Sequence, residues 1–540
     1  MKGLIKIFDT RLAGIICFLF AIVNRIIFAT LNSLIGTDTK IQLTYAENLM
    51  QGKRMGVTKY FTHDLNTPVF DTQQIFPPGF SLAIIPFVKL SGGDAYKAVL
   101  AFDIITAVVF VIAVNFLGRK AGLSRGINNI VTLMAGCVQY LFFMSWSSTD
   151  AISLCFVLFG LAVTIDIINK KQYVGLVKIS GLGILFCLPF IFRYMYLPLA
   201  ILFPFVILLF GFALKNKKMK ITGGKLLIAS VFFLALIIAF NLFTSGNTLF
   251  VQDFGRGIFV SQLTTWYPFL PASFISLDFA AQLIERISGV PYGDVMFFSQ
   301  IINAVLFALL LILFCRYLAV HKKNTEFSNH FLFIVIGSFI SLSILILIAY
   351  LTLTYKALTW GLLRWTHSQH ARYFAFIYVF IPLLLFVCIH DLSFFKKPFV
   401  RLFIFIALSC LAIEMLHGVY YNIKIIVAHK DLAIIRDADD GYKEFGFILN
   451  EIKKQHPGRE VIVSSPDQYY LYAASQMGYK AIFDYENLAK TDVKTTSKTI
   501  LLIPVHQQEV IIIKDYIDRK KPKLLSTISG TYIYIEEINP

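Results

Sequence analysis

The sequence predicts a mainly α-helical, polytopic transmembrane bundle followed by a small soluble α/β domain, and three observations predict it. Hydrophobic residues make up 57% of the 540 residues and Phe alone occurs 53 times, whereas soluble domains run at about 45–50% apolar. Charged residues are 15%, against about 25% in soluble domains, and the mean hydropathy is +0.71. The apolar residues gather into runs of roughly 20, the length a helix needs to cross a bilayer. Strand-like patterns appear in the tail of the chain. Composition of this kind excludes a water-soluble globular protein.

Runs of spanning length lie near 12–34, 96–117, 126–144, 149–168, 173–192, 195–214, 222–244, 296–319, 331–355, 372–391 and 401–424. The first follows Met1-Lys2-Gly3-Leu4-Ile5-Lys6 with no small-x-small cleavage site, so it reads as an uncleaved first span. A further run, 76–90, is bracketed by Pro77-Pro78-Gly79 and Ser91-Gly92-Gly93. As a helix of about 15 residues it reaches only roughly 22 Å.

Charge placement decides what that short run does. The net charge is +17, and the basic residues sit in short runs between apolar segments, such as Arg119-Lys120, Lys170-Lys171 and Lys322-Lys323. That distribution is a positive-inside pattern rather than a nucleic-acid-binding face, so no nucleic-acid partner is expected. If 76–90 does not span, the N-terminus and the loops near 118–125, 169–172, 215–221, 320–330 and 392–400 all fall on one side. The expectation is therefore about 11 spans, a juxtamembrane 76–90 and a cytoplasmic basic side, in a cytoplasmic (inner) membrane.

The long segments then fall outside: loops near 35–95, 245–295 and 356–371, and the tail. Two modules are expected, a membrane module over 1–424 and an extracytoplasmic α/β domain over 425–540. In the tail, Glu460-Val461-Ile462-Val463-Ser464 reads as a strand, 467–477 as a helix, 499–505 as a strand and 508–519 as a helix. A closing hairpin over 523–537 turns at Ser529-Gly530. The tail carries neither a GxGxxG nor a phosphate-binding loop. The seven cysteines all lie within apolar runs, without metal-ligand spacing.

Chemistry is expected at the outer surface. Asp38 follows the first span directly. A carboxylate there is either a helix N-cap or a partly dehydrated general base. Ile41, Tyr45 and Leu49 behind it share one face of an amphipathic surface helix that Gly52 ends. Asp150, in the outer turn Ser145-Trp146-Ser147-Ser148-Thr149-Asp150, reads as an N-cap, or as a second carboxylate that orients an acceptor or holds a divalent cation. Lys356, Arg364, His367, His370 and Arg372 lie in or beside one outer loop with no acid between them. Clustered cations at headgroup depth suit a lipid phosphate or pyrophosphate, or anionic lipid in general. Arg193-Tyr194 supplies another outer cation. Inside the spans, Asp103, Asp166, Glu414 and His417 are further candidates, with Asp166 close enough to a cytoplasmic end to reach the interface.

Asp38 with Tyr45-Ala46-Glu47-Asn48-Leu49, then Pro77-Pro78-Gly79, Gly118-Arg119-Lys120, Thr149-Asp150-Ala151 and Arg372-Tyr373-Phe374, resemble in order the motifs of the C-type polytopic glycosyltransferases. That family includes protein O-mannosyltransferases and the lipid A aminoarabinose transferases. The resemblance runs over about residues 10–390. It implies Asp38 as catalytic base, Asp150 as second-loop acid, and Arg372 with Tyr373 at the donor phosphate, assisted by Arg364, His367 and His370. Tyr45, Glu47 and Arg193 would position the acceptor or the loop. Many relatives carry an adjacent Asp-Glu in the first loop, where this chain has Asp38-Thr39.

The implied donor is a polyprenyl-phosphate- or pyrophosphate-linked sugar. The implied acceptor is a hydroxyl of a lipid, glycan or protein, with no required cofactor beyond a possible divalent cation. Two other readings stand beside this one. A lipid-linked substrate transporter or flippase would carry inverted repeats and broken mid-membrane helices. A polysaccharide polymerase or ligase would carry the outer cations without Asp38.

Overall fold

A computed structural model describes residues 6–32, 37–62, 64–71, 77–138, 148–169, 175–193, 196–213, 215–245, 285–289, 305, 309, 312, 329–354, 375–390, 398–428, 440–466, 468–483, 493, 495, 497–528 and 531–539. In chain order the elements begin α1 (Arg11–Asn32), α2 (Thr37–Met50), β1 (Val57–Phe61), β2 (Asp64–Asp71), α3 (Gly79–Leu90), α4 (Ala95–Lys120), α5 (Arg125–Cys137), α6 (Ser148–Asn169) and α7 (Leu176–Phe192). They continue α8 (Leu197–Ala213), α9 (Lys217–Ser245), α10 (Asn329–Thr354), α11 (Ala375–His390), α12 (Pro398–Ala428) and α13 (Asp440–Gln455). The last are β3 (Glu460–Ser464), α14 (Gln468–Gln476), β4 (Lys480–Ile482), β5 (Thr499–His506), α15 (Lys514–Lys520), β6 (Lys523–Ile528) and β7 (Thr531–Ile538).

The chain divides into two compact units. The first holds Met1–Ser33, Leu100–Phe240 and Val251–Ala428; the second holds Leu34–Val99, Asn241–Phe250 and His429–Pro540. Among the described residues, five helices are long and apolar enough to cross a membrane: α1, α4, α6, α9 and α12. Shorter apolar stretches occupy Gly79–Leu90, Leu176–Phe192, Leu199–Phe212, Asn329–Ile344 and Ala375–Val387. The protein is a mainly helical, multi-pass membrane protein with a small C-terminal mixed β-sheet domain. In hydrocarbon a helix satisfies its own backbone, so each long apolar run folds as one. The faces of these helices that point away from the bundle stay apolar, as with Leu19 and Val23 on α1 and Phe232 and Phe243 on α9.

In the first unit, α6 runs through the core. Its Leu154, Val157, Leu158, Leu161 and Ile165 are all fully buried. Helix α5 crosses α1 so closely that a Cβ on Gly136 would fall on the Ala21 backbone. With 13 residues, α5 covers only about 20 Å, and its last carbonyls need donors. Helix α1 supplies them: Asn24 Nδ2 donates to Gly136 O at 2.8 Å and Arg25 Nε to Ala135 O at 2.9 Å. The buried Arg25 guanidinium lies 4.7 Å from the Phe110 ring centre. Asn422 of α12 donates to both Asn24 O and Asn24 Oδ1.

Described residues of the N-terminus, of the turn after α4 and at the near ends of α6, α9 and α10 meet at one end of this unit. Asp9 Oδ1 accepts from Gly126 N at 3.0 Å and Asn129 Nδ2 donates to Phe8 O at 2.8 Å. His330 Nε2 reaches Gly122 O at 3.0 Å, and Lys218 Nζ donates to Ile168 O at 3.1 Å. Asp166 joins them by pairing with Lys120 at 2.6 Å.

The second unit is built on a seven-stranded sheet of order β2-β1-β4-β3-β5-β7-β6. Strands β1, β4, β3 and β5 are mutually parallel; β2 is antiparallel to β1 at one edge, and β7 and β6 add two antiparallel pairings at the other. Central parallel strands are covered on both faces, which explains their unbroken apolar runs. Val461, Val463, Ile500 and Leu502 pack under α13 and α14, while Ile462, Leu501 and Ile503 face a second cluster with Ile513 and Tyr516. Strands β3 and β5 and the β6–β7 pairing fall where the sequence places them, and the predicted 508–519 helix divides into a 3₁₀ segment, Gln507–Ile512, and α15.

Strands β1 and β2 come from the first loop, not the tail. Tyr60 is in register with Ile482 of β4, and Phe483 N donates to Tyr60 O at 3.2 Å.

Candidate active site

Helix α2 carries Asp38 as its second residue. In the first turn of a helix a carboxylate is favoured by the unpaired amide N–H groups. The predicted face is observed: Ile41 and Tyr45 are buried and, with Leu49, pack against Met55, Val57 and Phe483. The sequence predicts an amphipathic surface helix, and here the structure differs. Residues 39–46 are buried all round, including Lys40, Gln42 and Thr44. Within its own unit α2 is flanked by α3, β1 and α14, and Ser81 Oγ of α3 donates to Gln42 O at 2.8 Å. Periodicity reports one apolar face; it does not register polar side chains enclosed by neighbours remote in sequence.

Gly52 ends α2, as its position suggests. It adopts φ +73°, its N–H bonds Leu49 O, and Lys53 N–H bonds Asn48 O, a Schellman closure that needs a left-handed residue. Asn48 Nδ2 then fastens the turn to Gly56 O at 2.7 Å. Glu47 is half-buried. Burial pushes its carboxyl above the ordinary glutamate range, opposed by the charge of Lys40. Tyr45 sits inside the loop's own core.

In the bundle unit, Asp150 lies in the first turn of α6 and Arg193 directly follows α7. An acid at a helix N-terminus and a base at a C-terminus are each favoured by the helix dipole, and adjacent α6 and α7 bring the two together. Arg193 Nη2 donates to Asp150 Oδ2 at 2.6 Å, with both side chains nearly fully buried. Ser153 Oγ braces the same corner, donating to Thr149 O at 2.7 Å and lying 3.3 Å from Pro189 O. The fully buried Tyr196 interacts electrostatically with both charges, and its hydroxyl has no hydrogen-bond partner among the described residues. Tyr196 is not singled out by the sequence pattern; its N–H bonds Arg193 O locally, but its proximity to Asp150 depends on how α6 and α7 pack.

Lys356, Arg364, His367, His370, Arg372 and Tyr373 lie outside the described residues, as does Tyr194. Among the described residues, no group of three or more His, Cys, Asp or Glu is placed to hold a metal ion. Asp103 and Glu414 are buried within their helices.

This fold, a multi-pass helical bundle joined to a small mixed-sheet domain, is the architecture of a class of solved membrane proteins. No family model and no curated relative matches the chain. Among solved structures, ArnT of Cupriavidus metallidurans bound to undecaprenyl phosphate aligns at TM-score 0.50 and 9% identity, over 97% of this chain and 98% of that one. The apo oligosaccharyltransferase of Archaeoglobus fulgidus aligns at TM-score 0.51 and 13% identity, over 89% of this chain and 66% of that one. At these identities the likeness is one of fold.

Proposed function

We propose that the chain is a membrane glycosyltransferase of the C-type polytopic class. It transfers a sugar from a polyprenyl-phosphate or pyrophosphate donor to an acceptor hydroxyl at the extracytoplasmic face. The observation that carries this reading is the end-to-end fold likeness to a membrane protein solved with undecaprenyl phosphate. The bonds that gather the N-terminus, the turn after α4 and residues beside other basic connections support a cytoplasmic end there. Helix α3 has 12 residues and reaches about 18 Å, too short to span, which suits a juxtamembrane element. The topology is then about 11 spans with the sheet domain outside.

In this mechanism the acceptor oxygen bonds to the anomeric carbon as the bond to the phosphate oxygen breaks, with inversion. Asp38 takes the acceptor proton, and the polyprenyl phosphate leaves with the bonding pair. Arg372, with Arg364, His367 or His370 and Tyr373, stabilises the negative charge that develops on the phosphate. Glu47 and Tyr45 hold the first loop. Asp150, paired with Arg193, orients the site.

One feature favours a transporter instead. Helix α5 ends after 13 residues with its carbonyls held by α1, and broken helices mark transporter sites. Vesicles supplied with labelled polyprenyl-phosphate sugars separate the two readings. A transferase forms labelled glycoside and releases polyprenyl phosphate; a transporter moves the intact lipid across the membrane and forms none.

A further inference from the structure

The tail and the first loop are not separate modules joined by proximity in sequence; they share one sheet. Strand β1 adds to β4 in parallel through Tyr60 and Ile482. Lys480 crosses this seam. Its Nζ donates to Leu65 O at 3.0 Å, pairs with Glu460 at 2.7 Å and lies 5.4 Å from the Tyr60 ring centre. Leu65 is buried in the same cluster as Ile462, Ile482 and Leu501. One residue beyond β4, Phe483 packs against the cluster of Ile41, Tyr45, Met55 and Val57, and α14 flanks α2.

We infer that the C-terminal domain is a positioning element for the first loop, holding the helix that carries Asp38 through Phe483, which packs against its cluster, and through Lys480, which fastens the β1–β2 strands of the same loop. Placing a helix to within a fraction of an ångström needs contacts on more than one side. The i, i+4, i+8 face of α2 is fixed in part by a ring supplied from more than four hundred residues later. The catalytic consequence rests on Asp38 as the base; the mechanical statement does not.

The test uses the full chain in lipid nanodiscs, with hydrogen exchange read for peptide 37–50 and, as a control, for 95–120. Phe483→Ala is expected to raise exchange in 37–50 at least tenfold while 95–120 is unchanged, and Phe483→Leu to restore most of the protection. Lys480→Met is expected to act in the same direction more weakly, with Lys480→Arg rescuing it. With labelled polyprenyl-phosphate hexose, Phe483→Ala should lower kcat at least tenfold with KM for the donor within twofold. Unchanged exchange in 37–50 for both Phe483→Ala and Lys480→Met overturns the proposal, as does loosened exchange with an unaltered kcat. A wild-type chain that transfers no sugar, or an Asp38→Asn variant as active as wild type, removes the transferase reading alone. The exchange result then still decides whether the tail governs α2.

Discussion

Asp150 and Arg193, separated by 43 positions, meet at 2.6 Å between the start of α6 and the end of α7, both withdrawn from solvent. Two buried charges in a membrane protein persist because each neutralises the other and each sits at the helix terminus that suits it. Removing one takes from the other its 2.6 Å ion-pair partner.

Arg193→Met should therefore destabilise the bundle by about 3–5 kcal/mol, read as a lower midpoint in thermal unfolding in detergent. The double variant Asp150→Leu with Arg193→Met should recover a large part of that loss, because both charges of the pair are then removed together. Strict additivity of the two single effects would contradict the pairing.

The crossing of α1 and α5 makes a second prediction. Gly136→Ala places a methyl group on the Ala21 backbone, and overpacking of this kind costs about 1–3 kcal/mol. The same shift separates Asn24 from Gly136 O and Arg25 from Ala135 O. A loss of thermal stability is expected, whereas Gly175→Ala, with open space at its Cβ, should be near neutral. Equal behaviour of the two variants would count against the close approach.

Glu47 gives a pH dependence. Burial raises its folded-state pKa above the unfolded value, so the folded chain binds the proton more readily. The stabilisation is complete below the unfolded value and is lost as pH rises through the folded one. Protection of peptide 37–50, corrected for intrinsic exchange, should increase as pH falls from neutral toward the ordinary glutamate range. Glu47→Gln should flatten that profile, and a wild-type profile that is already flat would contradict it.

What the sequence discloses depends on how far apart the interacting residues lie. The Ile41, Tyr45 and Leu49 face follows from helical spacing alone, and the apolar runs of β3 and β5 follow from local pattern, so both could be read directly. Strand β1 could not, because its parallel partner is in the tail. Strand β2 contains Pro68 between Asp64 and Asp71, a composition tolerated only where one side of a strand is unpaired. Asp150 and Arg193 were each legible as outer-face charges, but their union depends on the packing of α6 against α7. Asn24 and Arg25 were hidden within an apolar run, and their purpose emerges only where α5 ends.

The most direct test of the central claim is sugar transfer by purified protein in vesicles supplied with labelled polyprenyl-phosphate sugars, comparing wild type with Asp38→Asn. Loss of a general base typically costs about 100-fold or more in rate. The account predicts labelled glycoside from wild type and at least that loss in the variant, with insertion and thermal stability unchanged. Transfer by Asp38→Asn at the wild-type rate would contradict it.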